Sequence, residues 1–280
     1  MGDRTLPGAV EMLTTHDYEA MVIGAHPDDN DFGTGATTAL WARQGKKIVW
    51  VVMTDGTEGG EVPTQDDKEL MLLREREQTN ASKVLGVEKV EFLRFPDGHL
   101  TNTEETRKAV VRLIRQYRPR VVFTHDPTQH IMAPDPDENP TGTGYLNHPD
   151  HRATGNIVLD AIFPFAGNPR SFRDLLLEEG LQPYRVNEVY LYGTGQANTY
   201  IDVTETIEIK GKGLQEHLSQ FNPDDNQKMI ERLKERAAWV AKEGNKAKGL
   251  DLQYAEAFRR IKLHVPPDPT IADPTVEEEA

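Results

Sequence analysis

The sequence predicts an α/β fold in which a mostly parallel sheet is flanked by helices. Short apolar runs of strand length alternate with longer segments whose apolar residues recur at helical spacing. The runs at residues 21–25 and 48–53 contain no charged or polar side chain, as expected of strands that are buried on both faces. This alternation is typical of parallel sheets with right-handed crossovers, in which ligands bind beyond the carboxyl ends of the strands.

The predicted elements follow one another closely in the first half of the chain. Strands are predicted at residues 21–25, 48–53, 90–93 and 121–123, and helices at 33–44, 70–85 and 103–117. In the second half, helices are predicted at residues 149–163, 204–220 and 225–242, and strands at 186–192 and 200–203. Asn147 is expected to cap the helix that begins near residue 149.

A single α/β domain is expected to occupy residues 1–264. A chain of 280 residues is long enough to bury roughly 75% of the surface that its unfolded form exposes. Residues 127–147 have no periodicity, and a loop of this length in a compact domain is usually functional, for instance as a lid. Residues 265–280 are rich in proline and acid, which predicts an extended or disordered tail.

The composition excludes several kinds of site and disfavours several partners. The chain has no cysteine, so any transition metal must be held by histidines and carboxylates. Its formal net charge of −14 disfavours binding to nucleic acid and to anionic membranes. The sequence has no apolar run of about 18 residues and no signal-peptide pattern, so a cytoplasmic protein is expected.

Polar residues follow the first predicted strand directly, in the segment Ala25-His26-Pro27-Asp28-Asp29. Carboxylates next to a core need partners, because burying an unpaired charge is costly. We interpret His26 and one aspartate as half of a metal site, with the other aspartate free for acid–base chemistry. A catalytic zinc ion commonly has three protein ligands and one open position, so a third ligand must come from elsewhere.

The segment His148-Pro149-Asp150-His151 is the natural source of that third ligand. It begins a predicted helix and places two histidines three residues apart on one face. The spacing alone leaves open which of the two binds the metal. His125, at the end of the fourth strand, is either a partner of the site or a hydrogen-bonded structural histidine.

Four further motifs accompany the two histidine segments. They are Thr54-Asp55-Gly56-Thr57-Glu58-Gly59, Arg74-x-x-Glu77 followed by Leu85-Gly86-Val87, Asp97-Gly98, and Thr124-His125-Asp126-Pro127. Two later segments, Asp202-Val203-Thr204 and His217-x-Ser219-Gln220, belong to the same pattern. With these motifs spread over most of its length, the chain resembles the PIG-L/LmbE-like family of zinc-dependent N-deacetylases, which act on N-acetylglucosamine-containing molecules.

The resemblance implies a Rossmann-like fold with zinc bound by His26, Asp29 and His151. It implies that Asp28 is the general base that takes a proton from the attacking water. The family often has a glutamate directly after the two aspartates, and this chain has Asn30 there. The acidic role of that glutamate would then pass to Asp31, or the surroundings of the metal would differ.

The resemblance also implies roles for residues outside the first segment. His148 would stabilise or protonate the reacting centre, and Asp150 would orient His148. Arg74 and Asp97 would contact the substrate. Tyr145, on the loop just before the second histidine segment, is a weaker candidate for the donor that stabilises the oxyanion.

The expected function is therefore zinc-dependent hydrolysis of an N-acetyl amide on a small amino-sugar substrate, with release of acetate. The acceptor is left open among free N-acetylglucosamine, an N-acetylglucosaminyl conjugate, a chitin-derived disaccharide and a non-sugar amide. The alternatives are a metal-dependent amidohydrolase that acts on a non-sugar amide and a non-enzymatic zinc-binding protein. A dinucleotide-dependent enzyme is disfavoured, because the glycine fingerprint is missing. The resemblance allows a homo-oligomer, either a trimer or a hexamer.

Overall fold

A seven-stranded sheet forms the centre of the molecule. The computed structural model describes residues 10, 13, 15–60, 62–132 and 145–263. The strands of this sheet are β1 (Tyr18–Gly24), β2 (Ile48–Thr54), β3 (Lys89–Phe95), β4 (Pro119–His125), β7 (Glu188–Tyr192), β8 (Thr199–Asp202) and β9 (Ala255–Lys262). A separate antiparallel pair is formed by β5 (Ile131–Met132) and β6 (Tyr145–Leu146).

The strand order is β3-β2-β1-β4-β7-β9-β8. The pairs within β3, β2, β1, β4 and β7 are parallel, whereas β9 runs antiparallel to both of its neighbours. The order reverses on either side of β1, so the crevice between the ends of β1 and β4 is the topological switch point of the sheet. The expected α/β fold with a mostly parallel sheet is confirmed.

Helices cover both faces of the sheet. They are α1 (Asp29–Arg43), α2 (Asp67–Leu85), α3 (Glu104–Tyr117), α4 (Pro149–Asp160), α5 (Arg173–Leu177), α6 (Ile207–Leu214) and α7 (Asn226–Lys248). Helices α3 and α4 pack on one face, and α1 packs on the other, where it contacts α6. Within the parts that the structure describes, none of the helices has the length and apolar character needed to cross a membrane.

The two faces follow from the alternation of side chains along each strand. In β1, Met21 and Ile23 point into the core beneath α3 and α4, whereas Ala20 and Val22 point towards α1. All residues of β2 are buried, which explains why its sequence is apolar throughout rather than alternating. The continuous apolar runs in the sequence therefore mark the central parallel strands.

Several details differ from the sequence-based expectations. Strand β9 was not predicted, and it inserts between β7 and β8. The helix expected at residues 204–220 is only α6, followed by turns. The expected cap at Asn147 was wrong, since the side chain of His148 caps α4 by accepting from the main-chain N–H of Asp150. Residues 133–144 of the expected lid and the expected tail at 265–280 lie outside the described residues.

The buried ion pair between Lys210 and Glu256 holds helix α1 in place. The Lys210 ammonium lies 2.7 Å from the Glu256 carboxylate and donates to the main-chain oxygen of Phe32, also at 2.7 Å. The same carboxylate accepts hydrogen bonds from the N–H groups of Ala36 and Thr37. Both charged residues are less than a tenth exposed. The pair therefore joins α6 and β9 to the helix whose first turn carries Asp29.

Replacing Lys210 by methionine should destabilise the fold by about 3–5 kcal/mol, because Glu256 would remain as an uncompensated buried charge. The measurement is the free energy of unfolding in denaturant. The double variant Lys210→Met with Glu256→Gln should recover part of that loss, since it removes both charges. A loss below about 1 kcal/mol in the single variant would contradict the importance of this pair.

Candidate active site

The polar strand ends meet at the carboxyl edge of the sheet, as the parallel order requires. His26 follows β1, Asp55 follows β2, Asp97 follows β3, and His125 is the last residue of β4. The start of α4 adds its N-cap residue His148 and His151 to this edge. Segments far apart in the chain thus form one site: His26 and Asp150 are 124 positions apart.

The turn between β1 and α1 has a special backbone conformation. Asp28 has a φ of 102°, in the left-handed region that few residues other than glycine adopt. The turn brings Asp29 back under the preceding strand, where its Oδ2 accepts a hydrogen bond of 2.7 Å from the N–H of His26. A Cβ on Gly24 would lie 2.9 Å from the Cβ of Asp29, so this tight return needs glycine at that position.

The Asp29 carboxylate lies at the centre of a cluster of histidines. Its Oδ2 is 3.3 Å from Nδ1 of His26 and 3.3 Å from Nε2 of His125. Its Oδ1 is 3.1 Å from Nε2 of His151. The rings of His125 and His151 are stacked, with centroids 4.2 Å apart. One buried carboxylate thus gathers histidines from three separate elements.

Helix α4 approaches the sheet closely enough to deliver its histidines. A Cβ on Gly155 would lie 2.5 Å from the main-chain oxygen of His125, so only glycine permits this contact. The ring of His148 then lies edge-on to that of His26, with centroids 4.7 Å apart. Nδ1 of His148 accepts from the Asp150 N–H at 3.2 Å, so the proton of a neutral His148 ring lies on Nε2.

The outer nitrogens of the two predicted histidine ligands face oxygen acceptors. Nε2 of His26 is 3.0 Å from Oδ1 of Asp97 and 3.4 Å from Oδ2 of Asp150. Nδ1 of His151 is 3.0 Å from Oδ1 of Asn147. The Asp150 carboxylate therefore contacts His26, and it is the main-chain N–H of Asp150 that contacts His148.

A second network supports Asp28 from behind. The N–H of Asp28 donates to Oε1 of Gln78 at 2.8 Å, and Nε2 of Gln78 donates to Asp31 at 2.7 Å. The same oxygen of Asp31 is 3.3 Å from Nε2 of His217, and all three of these supporting side chains are fully buried. Asp31 thus lies on the buried side of the turn that carries Asp28, and it links α1 to Gln78 and His217.

Arg74 joins the loops that follow β1 and β2. Its guanidinium donates to the main-chain oxygens of Gly56 at 2.6 Å and Pro27 at 3.0 Å, and it lies 3.9 Å from the Asp28 carboxylate. The side chain is only 3% exposed. The contacts that Arg74 makes here are to the site's own main chain and to the Asp28 carboxylate, and its predicted contact with substrate stays a prediction.

The two adjacent aspartates have opposite electrostatic surroundings. Burial and the neighbouring Asp29 charge raise the pKa of Asp28 to about 7. Burial alone would raise the pKa of Asp29, but His151 and His125 hold it well below the usual value. Burial also lowers the pKa of His125 to about 4, so its ring is neutral.

Three carboxylates, those of Asp29, Asp97 and Asp150, surround the imidazole ring of His26. Burial would lower the pKa of His26, yet hydrogen bonds to Asp150, Asp29 and Asp97 raise it to about 12. Such a ring holds a proton on both nitrogens, and a divalent cation can replace the proton that faces Asp29. The donor set, histidine nitrogens with carboxylate oxygens, suits a transition metal.

The described residues contain three groups of side chains that could hold a metal ion, with their ligand atoms within 4.8 Å of one another. The groups are His26, His148 and His151; Asp29, His125 and His151; and His26, Asp97 and Asp150. Each of the predicted ligands His26, Asp29 and His151 belongs to at least one of these groups, and the groups share residues with one another.

Sequence reasoning found most of this cluster but missed some of its members. The sequence leaves the role of His125 open, and His125 contacts Asp29 directly. The sequence indicates only a helix cap for Asn147 and indicates no role for Gln78. The side chain of Tyr145 lies outside the described residues. The polar end of β4 was the available signal for His125, whereas the role of Gln78 depends on a contact 50 positions away.

A cavity of about 220 Å³ opens beside the histidine cluster. Its lining includes Asp29, His125 and His151, together with the aromatic rings of Phe32 and Tyr192. A larger groove of about 800 Å³ runs along the outer side of α2, and it contains none of the clustered histidines. Because it adjoins the histidine cluster, the smaller cavity is the better candidate for the substrate-binding site.

Comparisons with known proteins find a family and named deacetylases to which this chain is similar. Residues 21–162 match the family described as PIG-L, GlcNAc-PI de-N-acetylase. Diacetylchitobiose deacetylase of Thermococcus kodakarensis is 33% identical over 207 residues, which cover 74% of this chain and 71% of that protein. The structure of N,N'-diacetylchitobiose deacetylase from Pyrococcus horikoshii, complexed with an inhibitor, has a TM-score of 0.73 and 30% identity, covering 88% of this chain and 85% of the other.

The same fold also occurs in a protein whose activity is not deacetylation. The 4-carboxy-2-hydroxymuconate hydratase from Pseudomonas putida superimposes with a TM-score of 0.66 at 18% identity, covering 89% of this chain and 98% of the other, and this likeness shows a common fold alone. The family match spans the two histidine segments as well as the first four strands of the sheet. On that match and on its similarity to the two deacetylases, the chain belongs to the PIG-L family of de-N-acetylases.

Proposed function

We propose that this protein is a zinc-dependent N-deacetylase that hydrolyses the acetamide of an N-acetylglucosamine-type substrate and releases acetate. The observation that carries the proposal is the arrangement around Asp29, where histidines from three elements converge on one carboxylate beside Asp28. Its family and its named deacetylase relatives support the same reaction.

The proposed metal ligands are His26, Asp29 and His151. When bound, a zinc ion would polarise the amide carbonyl oxygen and lower the pKa of a water molecule. The three side chains have the donor atoms that zinc prefers, and the cluster carries the excess negative charge that a divalent cation would balance.

Asp28 is proposed to move the proton. A carboxylate whose pKa is raised to about 7 is matched to proton transfer near neutral pH. It would take a proton from water as the water oxygen bonds to the amide carbon. It would return that proton to the nitrogen as the carbon–nitrogen bond breaks, which gives the free amine and acetate.

His148 is proposed to stabilise the tetrahedral oxyanion. Because Nδ1 of the neutral ring accepts from the Asp150 N–H, Nε2 carries the proton and can donate. The ring lies at 4.7 Å from His26 and is only partly buried, so it borders the space where a substrate would bind. Tyr145 remains the second candidate for this donor.

A chitin-type disaccharide is the proposed first substrate to test. Two relatives with at least 30% identity are described as diacetylchitobiose deacetylases. Substrate contacts by Arg74 and Asp97, a cytoplasmic location and a trimeric or hexameric assembly remain predictions from the sequence.

Removing the metal should abolish acetate release, and zinc should restore it. The assay measures acetate from N,N'-diacetylchitobiose, N-acetylglucosamine, an N-acetylglucosaminyl conjugate and a non-sugar acetamide. His151→Gln should weaken zinc binding at least about 100-fold, because it removes a direct ligand. His16→Gln is the matched control, because His16 lies two residues before β1 and away from the cluster. Zinc binding without acetate from any of these substrates would contradict the enzymatic assignment.

Asp28→Asn should lower kcat by about 10²–10⁴-fold, since the amide cannot accept the proton. Zinc affinity should stay close to that of the wild type, because Asp28 is not among the proposed ligands. The measurement combines steady-state kinetics with a zinc titration of the same preparation. Near-normal turnover in this variant would show that another group is the base.

Gln78→Leu should lower kcat by about 10- to 100-fold with little change in zinc affinity, because the N–H of Asp28, which is not a proposed ligand, loses its acceptor. It should also lower the free energy of unfolding by about 1–3 kcal/mol, since Asp31 loses a buried donor. Gln227→Leu, on the exposed side of α7, is the matched control. Unchanged kcat in a destabilised variant would limit Gln78 to a structural role.

A further inference from the structure

His26 and His151, the two histidines proposed as ligands, have the same arrangement of neighbours around their rings. In each ring, one nitrogen faces Asp29 and the other faces an oxygen that can only accept. For His26 the acceptors are Asp97 and Asp150, and for His151 the acceptor is the amide oxygen of Asn147. A nitrogen that carries a proton has no lone pair for a metal, so the outer acceptor decides which nitrogen is free.

Asp97 and Asp150 are themselves held as acceptors by the main chain. The two oxygens of Asp150 accept from the N–H groups of Gly98 at 2.7 Å and Leu100 at 3.2 Å. Oδ2 of Asp97 accepts from the N–H of Glu58 at 3.1 Å. Both carboxylates are at most 5% exposed. Three of the four carboxylate oxygens of Asp97 and Asp150 thus accept hydrogen bonds from main-chain amides. Carboxylates that are held in this way are better suited to be fixed hydrogen-bond partners of His26 than to be ligands of a separate cation.

We propose that Asp97 and Asp150 are positioning residues for the metal, which together keep the His26 proton on Nε2 and leave Nδ1 free beside Asp29. Asn147 does the same for His151, by keeping its proton on Nδ1 and leaving Nε2 free. This inference rests on the proposed metal site. It gives Asp97 and Asp150 a different task from the family-derived roles of substrate contact and orientation of His148.

The contact between Asp150 and His148 allows the two roles to be separated. It uses the main-chain N–H of residue 150, which an asparagine at that position would keep. Asp150→Asn therefore weakens the acceptor on His26 while the cap on His148 remains. Asp97→Asn makes the same change on the other acceptor, and each replacement preserves the shape of the side chain.

The first experiment measures zinc affinity by competition with a chromophoric chelator. Asp97→Asn and Asp150→Asn should each raise the zinc Kd by about 10- to 100-fold. Asp126→Asn is the control: its buried carboxylate at the same sheet edge accepts from Thr128 and Thr194, so its zinc Kd should not change. Wild-type affinity in both Asp97→Asn and Asp150→Asn would overturn the proposal.

A further comparison tests whether Asp150 acts through His148. In a His148→Ala background, Asp150→Asn should weaken zinc binding by the same factor as in the wild type. If the effect of Asp150→Asn disappears in that background, Asp150 acts through His148 and the inference is wrong.

The second measurement needs no variant and so does not depend on folding of the mutants. Long-range ¹H–¹⁵N NMR of the zinc-loaded wild type should find His26 protonated on Nε2 and His151 protonated on Nδ1. The opposite tautomer at His26 would overturn the inference. A wild-type protein that neither binds zinc nor releases acetate would instead contradict the proposed function itself.

Discussion

The Asp29 carboxylate is the interaction on which the rest of the site depends. Its oxygens lie within 3.3 Å of ring nitrogens from His26, His125 and His151. These histidines come from the end of β1, the end of β4 and the first turn of α4. Because a buried carboxylate without partners would be unfavourable, the contacts with Asp29 help to hold the three elements together. The stability of this sheet edge and the assembly of the site are therefore the same requirement.

Around this centre, the protein tolerates a high density of negative charge because Asp150, Asp97 and Asp31 have fixed donors. Asp150 and Asp97 accept from main-chain amides, and Asp31 accepts from Gln78. Hydrogen bonds to Asp150, Asp29 and Asp97 raise the pKa of His26 to about 12. This excess of negative charge is what a bound cation would neutralise, so it favours metal binding over an empty site.

The sequence was sufficient for the features that are local or periodic. Apolar runs predicted the central strands, and the polar residues at their ends predicted where His26 and Asp29 lie. Strand β9 was missed because only part of it is buried, so neither an apolar run nor a regular alternation marks it. Gln78 and Asn147 were missed for another reason. Their roles depend on contacts with Asp28 and His151 that exist only in the folded chain.

A single backbone feature separates the roles of two adjacent aspartates. The left-handed conformation at Asp28 comes directly before α1, so Asp29 turns inward beneath His26 while the largely buried Asp28 carboxylate lies beside Arg74. Asp29 is surrounded by imidazoles that hold its pKa well below the usual value, whereas burial next to Asp29 raises the pKa of Asp28 to about 7. Identical side chains one position apart thus become a permanent anion and a group able to exchange a proton, because the turn gives them different neighbours.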